Sequence, residues 1–445
     1  MPSRRLGDRI GDGLQCSRSI SGKVRATIDP PSNTFYCHFW NLFYRIGTDF
    51  YHQNHEEMGV LTDSLAEAIA AAEKIIEGAP HIRNDQDLVD GYDYLAGSIQ
   101  ASLHMAWAYD TQFPFFASST GPYTKMGLDN PDTLYFHANV SDRCEYVVSG
   151  TRGTTTDLSF QILKGDYSPV DVPDSLTAFD DRSIDIAPDG TFELHFGRPS
   201  DLPNHFTLSD GSSMIVVREV YSDWSADRGT LKIRRVGSEG EVPAGRTKEA
   251  VAKRYSTAGK MLLGRLRTFL QFPQWFYLNL EVNTLAEPRL TPGGLSTQYS
   301  SAGHYDLRDD QAMIITVPKS DAPYQGFQLG SMWYISLDYI HHQTSLTADQ
   351  AQTDPDGNIR LVVSAHNPQV TNWIETTGHR RGYAQFRWQR VSREITAADG
   401  PTVEVVDFDQ VSARLPFYED NKISPEDFAL RIEARRDAFA NRMLG

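Results

Sequence analysis

The chain has 445 residues, 40% of them hydrophobic and 11% aromatic, and a formal net charge of -16. Its length predicts two structural units, because one hydrophobic core stops growing well short of it. The acidic balance argues against a nucleic-acid backbone as partner and against a polybasic membrane-binding surface.

Cys16, Cys37 and Cys144 are odd in number, far apart and in no CxxC pair. Neither a disulfide framework nor a structural zinc site is expected, and a reducing cytoplasm is the simplest location. No apolar run approaches bilayer length. Arg4, Arg5 and Arg9 are not followed by the apolar stretch of a secretory signal.

Residues 1–57 are rich in Arg, Ser and Gly and carry the aromatic cluster "FYCHFWNLFY". They show no period and read as an N-terminal extension or as a docking segment. Next, "TDSLAEAIAAAEKIIEGA" has a Thr cap, a Gly stop, and Leu65, Ile69 and Ile76 at helical spacing. A second helix is expected over 86–109. From about 115 to 237, runs such as "TLYFHANV", "CEYVVSG", "DLSFQIL", "TFELHFG", "SMIVVREVY" and "TLKIRRV" alternate between Gly, Asp, Pro and Ser clusters. They read as antiparallel strands. Residues 247–272 are helical, 284–304 read as a connector, and "QAMIITVPK", "NIRLVVSAHN" and "YAQFRWQRV" read as strands. "GSMWYISLDYIHHQ" suits strand or helix. The tail, 424–442, starts with a Ser-Pro-Glu-Asp helix signal.

The pattern predicts an α+β fold, mainly β. Antiparallel sandwich or jelly-roll sheets would join an N-terminal helical region and connecting and C-terminal helices. The expected divisions are an extension (1–57), helices with a first sandwich (58–240), a helix and connector (241–300), a second β-rich unit (301–420) and a C-terminal helix (421–445).

The stretch "NWIETTGHRRG", 372–382, crowds Trp373, Glu375, His379, Arg380 and Arg381 between two expected strands. Trp373 offers a flat face for a ring. Glu375 and His379 are four apart, so one helical turn would set a carboxylate beside an imidazole and tune a general base. Arg380 suits a carboxylate or phosphate. The plain alternative is a capped loop with a surface ion pair and a buried Trp.

In "GLDNPDTLYFHANV", 127–140, a turn leads into a cleanly alternating strand. Leu134, Phe136, Ala138 and Val140 fall on one face, expected to be core. Thr133, Tyr135, His137 and Asn139 fall on the other. That face suits the floor of a polar cleft, with Tyr135 and His137 as acid, base or orienting donors. A solvent-facing strand is the alternative. In the stretch 331–346, Tyr334, Asp338 and His341 or His342 would share a face if helical.

There is no G-x-S-x-G, H-E-x-x-H, strand-linked G-x-G-x-x-G or P-loop. A metal site built from scattered residues has 13 His to draw on, but no spacing supports it.

"DNPDTLYFHANV" resembles the strand entry of the paired domain-of-unknown-function families 1254 and 1214. The block ending "NPQVTNWIETTGHRRGYAQFRW" resembles the close of family 1214. The matches fall at Asn130, Asp132, Thr133, Leu134 and Tyr135, and again at Asn372, Trp373, Thr376, Gly378, His379 and Gly382. Here Asn367-Pro368-Gln369 replaces the family's Asp-Pro-Gly, and Glu375 replaces its usual Asp. The resemblance implies a helical and β-sandwich architecture and implies no reaction.

The expected function is cofactor-independent acid–base chemistry, a hydrolysis or an elimination, on a small ring-bearing hydroxylated molecule. Tyr135 and His379 are the expected proton-transfer pair, with Glu375 and Asp132 tuning them. Asn130, His137, Asn372, Trp373, Arg380 and Tyr334 would bind substrate. Asp132 and Glu375 could alternatively act as a glycosidase pair. The other readings are a non-catalytic small-molecule or carbohydrate-binding sandwich, and a metal-dependent hydrolase with His137, His379 and a carboxylate as ligands. The primary reading needs no cofactor and no metal. Its partner is a small molecule, not nucleic acid or membrane, and a homo-oligomer is left open. All of it requires Tyr135 and His379 to reach one cavity.

Overall fold

The computed structural model describes residues 60–165, 173–291 and 297–444. The N-terminal extension, with its aromatic cluster, Cys16 and Cys37, lies outside them. Helices α1 (Asp63–Glu77), α2 (Asp85–Ala108) and α3 (Lys248–Phe276) pack together. Their shared core includes Ile76, Leu95, Leu262 and Leu266, closed by Trp333. Each helix buries one apolar stripe, as its 3.6-residue period requires. Asn84 caps α2 by accepting the Asp87 N–H at 2.8 Å, and Thr247 caps α3 through the Ala250 N–H at 3.2 Å.

Eight strands follow α2: β1 (Thr133–Asn139), β2 (Tyr146–Thr151), β3 (Asp157–Lys164), β4 (Asp174–Asp180), β5 (Thr191–Gly197), β6 (His205–Thr207), β7 (Ser212–Val220) and β8 (Thr230–Arg235). They form one sheet ordered β1-β7-β3-β4 and another ordered β6-β5-β2-β8. Inward residues of both, among them Val148, Phe160, Leu194 and Val217, make the first sandwich core.

After α3 come β9 (Thr284–Leu285), β10 (Arg289–Leu290), β11 (Tyr299–Asp306), β12 (Gln311–Pro318), β13 (Tyr324–Gly330) and β14 (Ser345–Thr347). They are followed by β15 (Asn358–Ser364), β16 (Trp373–Glu375), β17 (Arg381–Gln389) and β18 (Thr402–Asp407). One sheet runs β10-β11-β17-β13-β14 with β9 beside β11, and the other runs β16-β15-β12-β18. Ile315, Phe327, Val363 and Trp388 lie between them. The outer face of the last sheet is covered in part by α4 (Pro425–Leu444), through Phe428. Both sandwiches belong to one compact unit, Leu61–Gly445. The fold is α+β and mainly β, with mostly antiparallel sheets.

Three local expectations change. The 284–304 connector contains β9, β10 and most of β11. Residues 331–344 are turns and bridges, neither long strand nor helix, so Tyr334, Asp338 and His341 share no helical face. Within 372–382, β16 pairs in parallel with β15, Val362 against Trp373. Glu375 ends β16 and a turn closed by the His379 N–H on the Thr376 carbonyl follows, so no helical turn sets Glu375 beside His379.

Candidate functional site

Strand alternation decides which side chains meet. In β7, Ile215 and Val217 enter the first sandwich core, so Met214, Val216 and Arg218 point out of it. In β17, Ala384, Phe386 and Trp388 enter the second, so Gln385 and Arg387 point out. In β1, Ala138 joins the first core while Tyr135 and His137 face away. These outer faces, with Phe269 and Phe272 of α3, enclose a cavity of about 350 Å³. It lies between the two sandwiches.

Tyr135 pairs across the ladder with Arg218. Its hydroxyl oxygen accepts the Asn130 N–H at 2.9 Å. Burial raises its pKa against the pull of Arg387, so the group stays a phenol and can donate. His137 Nδ1 lies 3.3 Å from Ser119 Oγ, while its Nε2 is buried without a hydrogen-bond partner. Burial, with help from His104, pulls the imidazole down to about 4. His137 is therefore neutral near pH 7.

Tyr334 also lines the cavity, its hydroxyl 2.9 Å from that of Tyr277. Tyr334 and Leu128 both hold left-handed backbone, φ 58 and 48, and the Leu128 N–H donates to the Tyr334 carbonyl at 2.5 Å. Such conformations cost of order 1–3 kcal/mol each and persist where surrounding structure enforces them, often at functional sites. Asp129 accepts from the Ser336 N–H and hydroxyl at 3.0 and 2.8 Å. Burial raises its pKa, opposed chiefly by Lys125.

His379 lies elsewhere. It lines a second cavity, of about 570 Å³, with Asp90, Asp93, Lys125 and Asp338. Its Nε2 meets Asp90 Oδ2 at 2.7 Å. Tyr135 lines the first cavity and His379 the second, so the expected pair does not share a site. The reason is local: the loop after β16 turns toward α2, where Asp90 holds the imidazole. His137 and His379 are separated in the same way, so they are not joint ligands of one ion. Among the described residues, no group of three or more His, Cys, Asp or Glu is placed to hold a metal.

The other expected site residues are structural in position. Asp132 is buried and accepts from Trp224 Nε1 and the Tyr324 hydroxyl at 2.7 and 2.8 Å. Asn130 joins the same network through Tyr324. Glu375 binds His342 Nδ1 at 2.9 Å and the Gln343 N–H at 2.8 Å. Neither Asp132 nor Glu375 lines the central cavity, so they form no glycosidase pair there. Asn372 ties Gln352 and Arg360 backbone groups together. Trp373 is buried against Phe428, which leaves no open face for a sugar. Arg380 is largely exposed, 3.9 Å from Asp309.

Of the expected residues, the central cavity thus gathers Tyr135, His137 and Tyr334. It also gathers Arg218, Arg289, Gln385 and Arg387, which the sequence reading passed over. The available signal was an arginine alternating with core-facing apolar residues in a strand: Arg218 shares its face with Met214 and Val216 in "SMIVVREV", and Arg387 shares its face with Gln385 and Gln389 in "AQFRWQ".

No family model matches the chain, and no curated protein matches it. A solved structure of an uncharacterized protein from Burkholderia cenocepacia is similar. It is 27% identical with a TM-score of 0.71, over 78% of this chain and 96% of that one. A protein from Vibrio parahaemolyticus is 11% identical over 76% of this chain and 100% of that one, with a TM-score of 0.41. No helix among the described residues is long and apolar enough to cross a membrane.

Proposed function

We propose that this protein acts on a small molecule held in the central cavity, and that His137 and Tyr135 move the protons. The carrying observation is that a neutral imidazole, its Nε2 buried and unbonded, lines the same cavity as a phenol held by Asn130. The two side chains are two positions apart on β1, roughly 7 Å along the strand. A bound substrate can lie between them. His137 would accept a proton and Tyr135 would donate one, which suits a hydrolysis or an elimination. The strained Leu128–Tyr334 pair supports the same place, since it shapes the cavity wall. We also propose, from the two sequence motifs, kinship with families 1254 and 1214.

One observation favours a second reading, a non-catalytic binder. The side-chain partner of His137 is Ser119, a hydroxyl and not a carboxylate. A base without a carboxylate partner is weaker.

Compounds that raise the melting temperature of the full chain separate the readings. Each is incubated with the parent protein, His137→Gln and Tyr135→Phe, and its consumption is followed. Under the enzyme reading a compound is consumed, and His137→Gln slows this by about 100-fold or more. Recovery of every bound compound unchanged favours the binder. Binding that ignores both substitutions removes the cavity from consideration.

A further inference from the structure

We infer that the ligand of the central cavity is an amphipathic organic oxyanion, with a carboxylate or phosphate head on an apolar body. This inference rests on the cavity being the ligand site. Arg218 from β7, Arg289 from β10 and Arg387 from β17 line it, and among the described residues lining it the one carboxylate is Asp129. The chain as a whole carries -16, so a local excess of cations runs against its average.

The three guanidinium groups are graded inward. Arg289 is exposed, Arg218 half-buried and Arg387 buried. Arg387 donates to Gln328 Oε1 and to the Leu128 carbonyl. Two of its N–H donors are thereby engaged. A guanidinium carries about five, so the rest stay available for a second acceptor. The two protein bonds also hold its plane, and a preset plane suits two-point recognition of an oxyanion. Asp129 offsets only part of this charge, because a single carboxylate faces three guanidinium groups and Lys125 also draws on it. Phe269 and Phe272 of α3 and Met214 of β7 add apolar lining to the same cavity, which suits an apolar ring or chain. Guanidinium groups and apolar side chains lining one cavity suit a ligand with an anionic head and an apolar body.

Calorimetric titration of the full chain with benzoate, phenyl phosphate and benzamide tests this, since the three share a body and differ in the head. The expected result is that at least one anion binds, and benzamide binds about tenfold more weakly or worse. Arg387→Gln and Arg289→Gln should each weaken the anion by about tenfold and leave benzamide unchanged. Arg289 stands on an edge strand at the mouth, so its variant remains informative if Arg387→Gln fails to fold. Benzoate against phenyl phosphate identifies which head is preferred. Benzamide binding as tightly as either anion, unaffected by the arginine variants, overturns the inference and leaves the cavity reading intact. Failure of both anions overturns the inference, and failure of every compound in the melting screen as well overturns the cavity reading with it.

Discussion

The imidazole of His379 hydrogen-bonds the carboxylate of Asp90 at 2.7 Å, across 289 positions of chain. The bond joins the loop after β16 to helix α2. Both side chains are mostly buried, at 12% and 14% exposure, so solvent screens the pair little.

This pair makes stability pH-dependent in a stated direction. Burial pulls the His379 pKa down, but the Asp90 hydrogen bond and charge outweigh it, and the net value rises above the ordinary 6.5. A raised folded-state value contributes stability fully below the unfolded value, which is lost as pH rises through the folded value. Asp90→Asn should therefore cost roughly 1.5–3 kcal/mol at acid pH and less as pH climbs. Urea unfolding of parent and variant across a pH series measures this. A cost that does not vary with pH would exclude an ion pair.

His137 acts in the opposite sense. Its folded value of about 4 lies below the ordinary 6.5, because burial disfavours the cation. The unfolded chain takes up the proton first, so stability falls as pH drops from 6.5 toward 4. The loss approaches roughly 3 kcal/mol at the acid end. His137→Gln should flatten that part of the profile. His81 is also lowered to about 4, so the informative quantity is the difference between variant and parent. An anion placed beside His137 would raise its pKa, so ligand binding should take up protons and tighten as pH falls. Proton uptake measured by titration in two buffers of different ionisation enthalpy checks the second part.

Trp373 of β16 packs in the core against Phe428 of α4, and not in a ligand site. Trp373→Ala should destabilise by about 3–5 kcal/mol. In the folded fraction it should leave ligand affinity unaltered. A large loss of affinity at unchanged stability would return the residue to a recognition role.

Gly91 lies in α2, where an alanine would ordinarily favour the helix by about 1 kcal/mol. Here an added Cβ would meet Trp333 Cζ2 at 2.4 Å and Ile76 Cγ2 at 2.8 Å. Gly91→Ala should therefore destabilise, by about 1–3 kcal/mol net. A higher midpoint in denaturant for the variant would show that the indole moves aside freely.

Much of the fold was legible because its signals are local. The β1 alternation correctly put Ala138 and Val140 in the core and turned Tyr135 and His137 toward a cleft. Some of the strands missed were very short, such as β9 and β10, two residues each, while β11 and β13 are longer and interior to their sheet. For β9 and β10, pairing with β11 supplies what their own sequence does not. The loop at 372–382 misled because its chemistry-bearing residues are dense. Density in sequence does not set direction in space. Trp373 turned inward to Phe428, Glu375 to His342 and His379 to Asp90, each drawn by a partner far along the chain.

Short stretches of chain already encode the mainly β architecture, the main helices and the face of β1 that carries Tyr135 and His137. These follow from periods of about 2 and 3.6, which any short window contains. Which residues share a cavity with that face is set by long-range packing. The cavity is bounded by outward faces of two separate sandwiches, so Arg218 and Arg387 meet through the docking of sheets, and no local period encodes that docking.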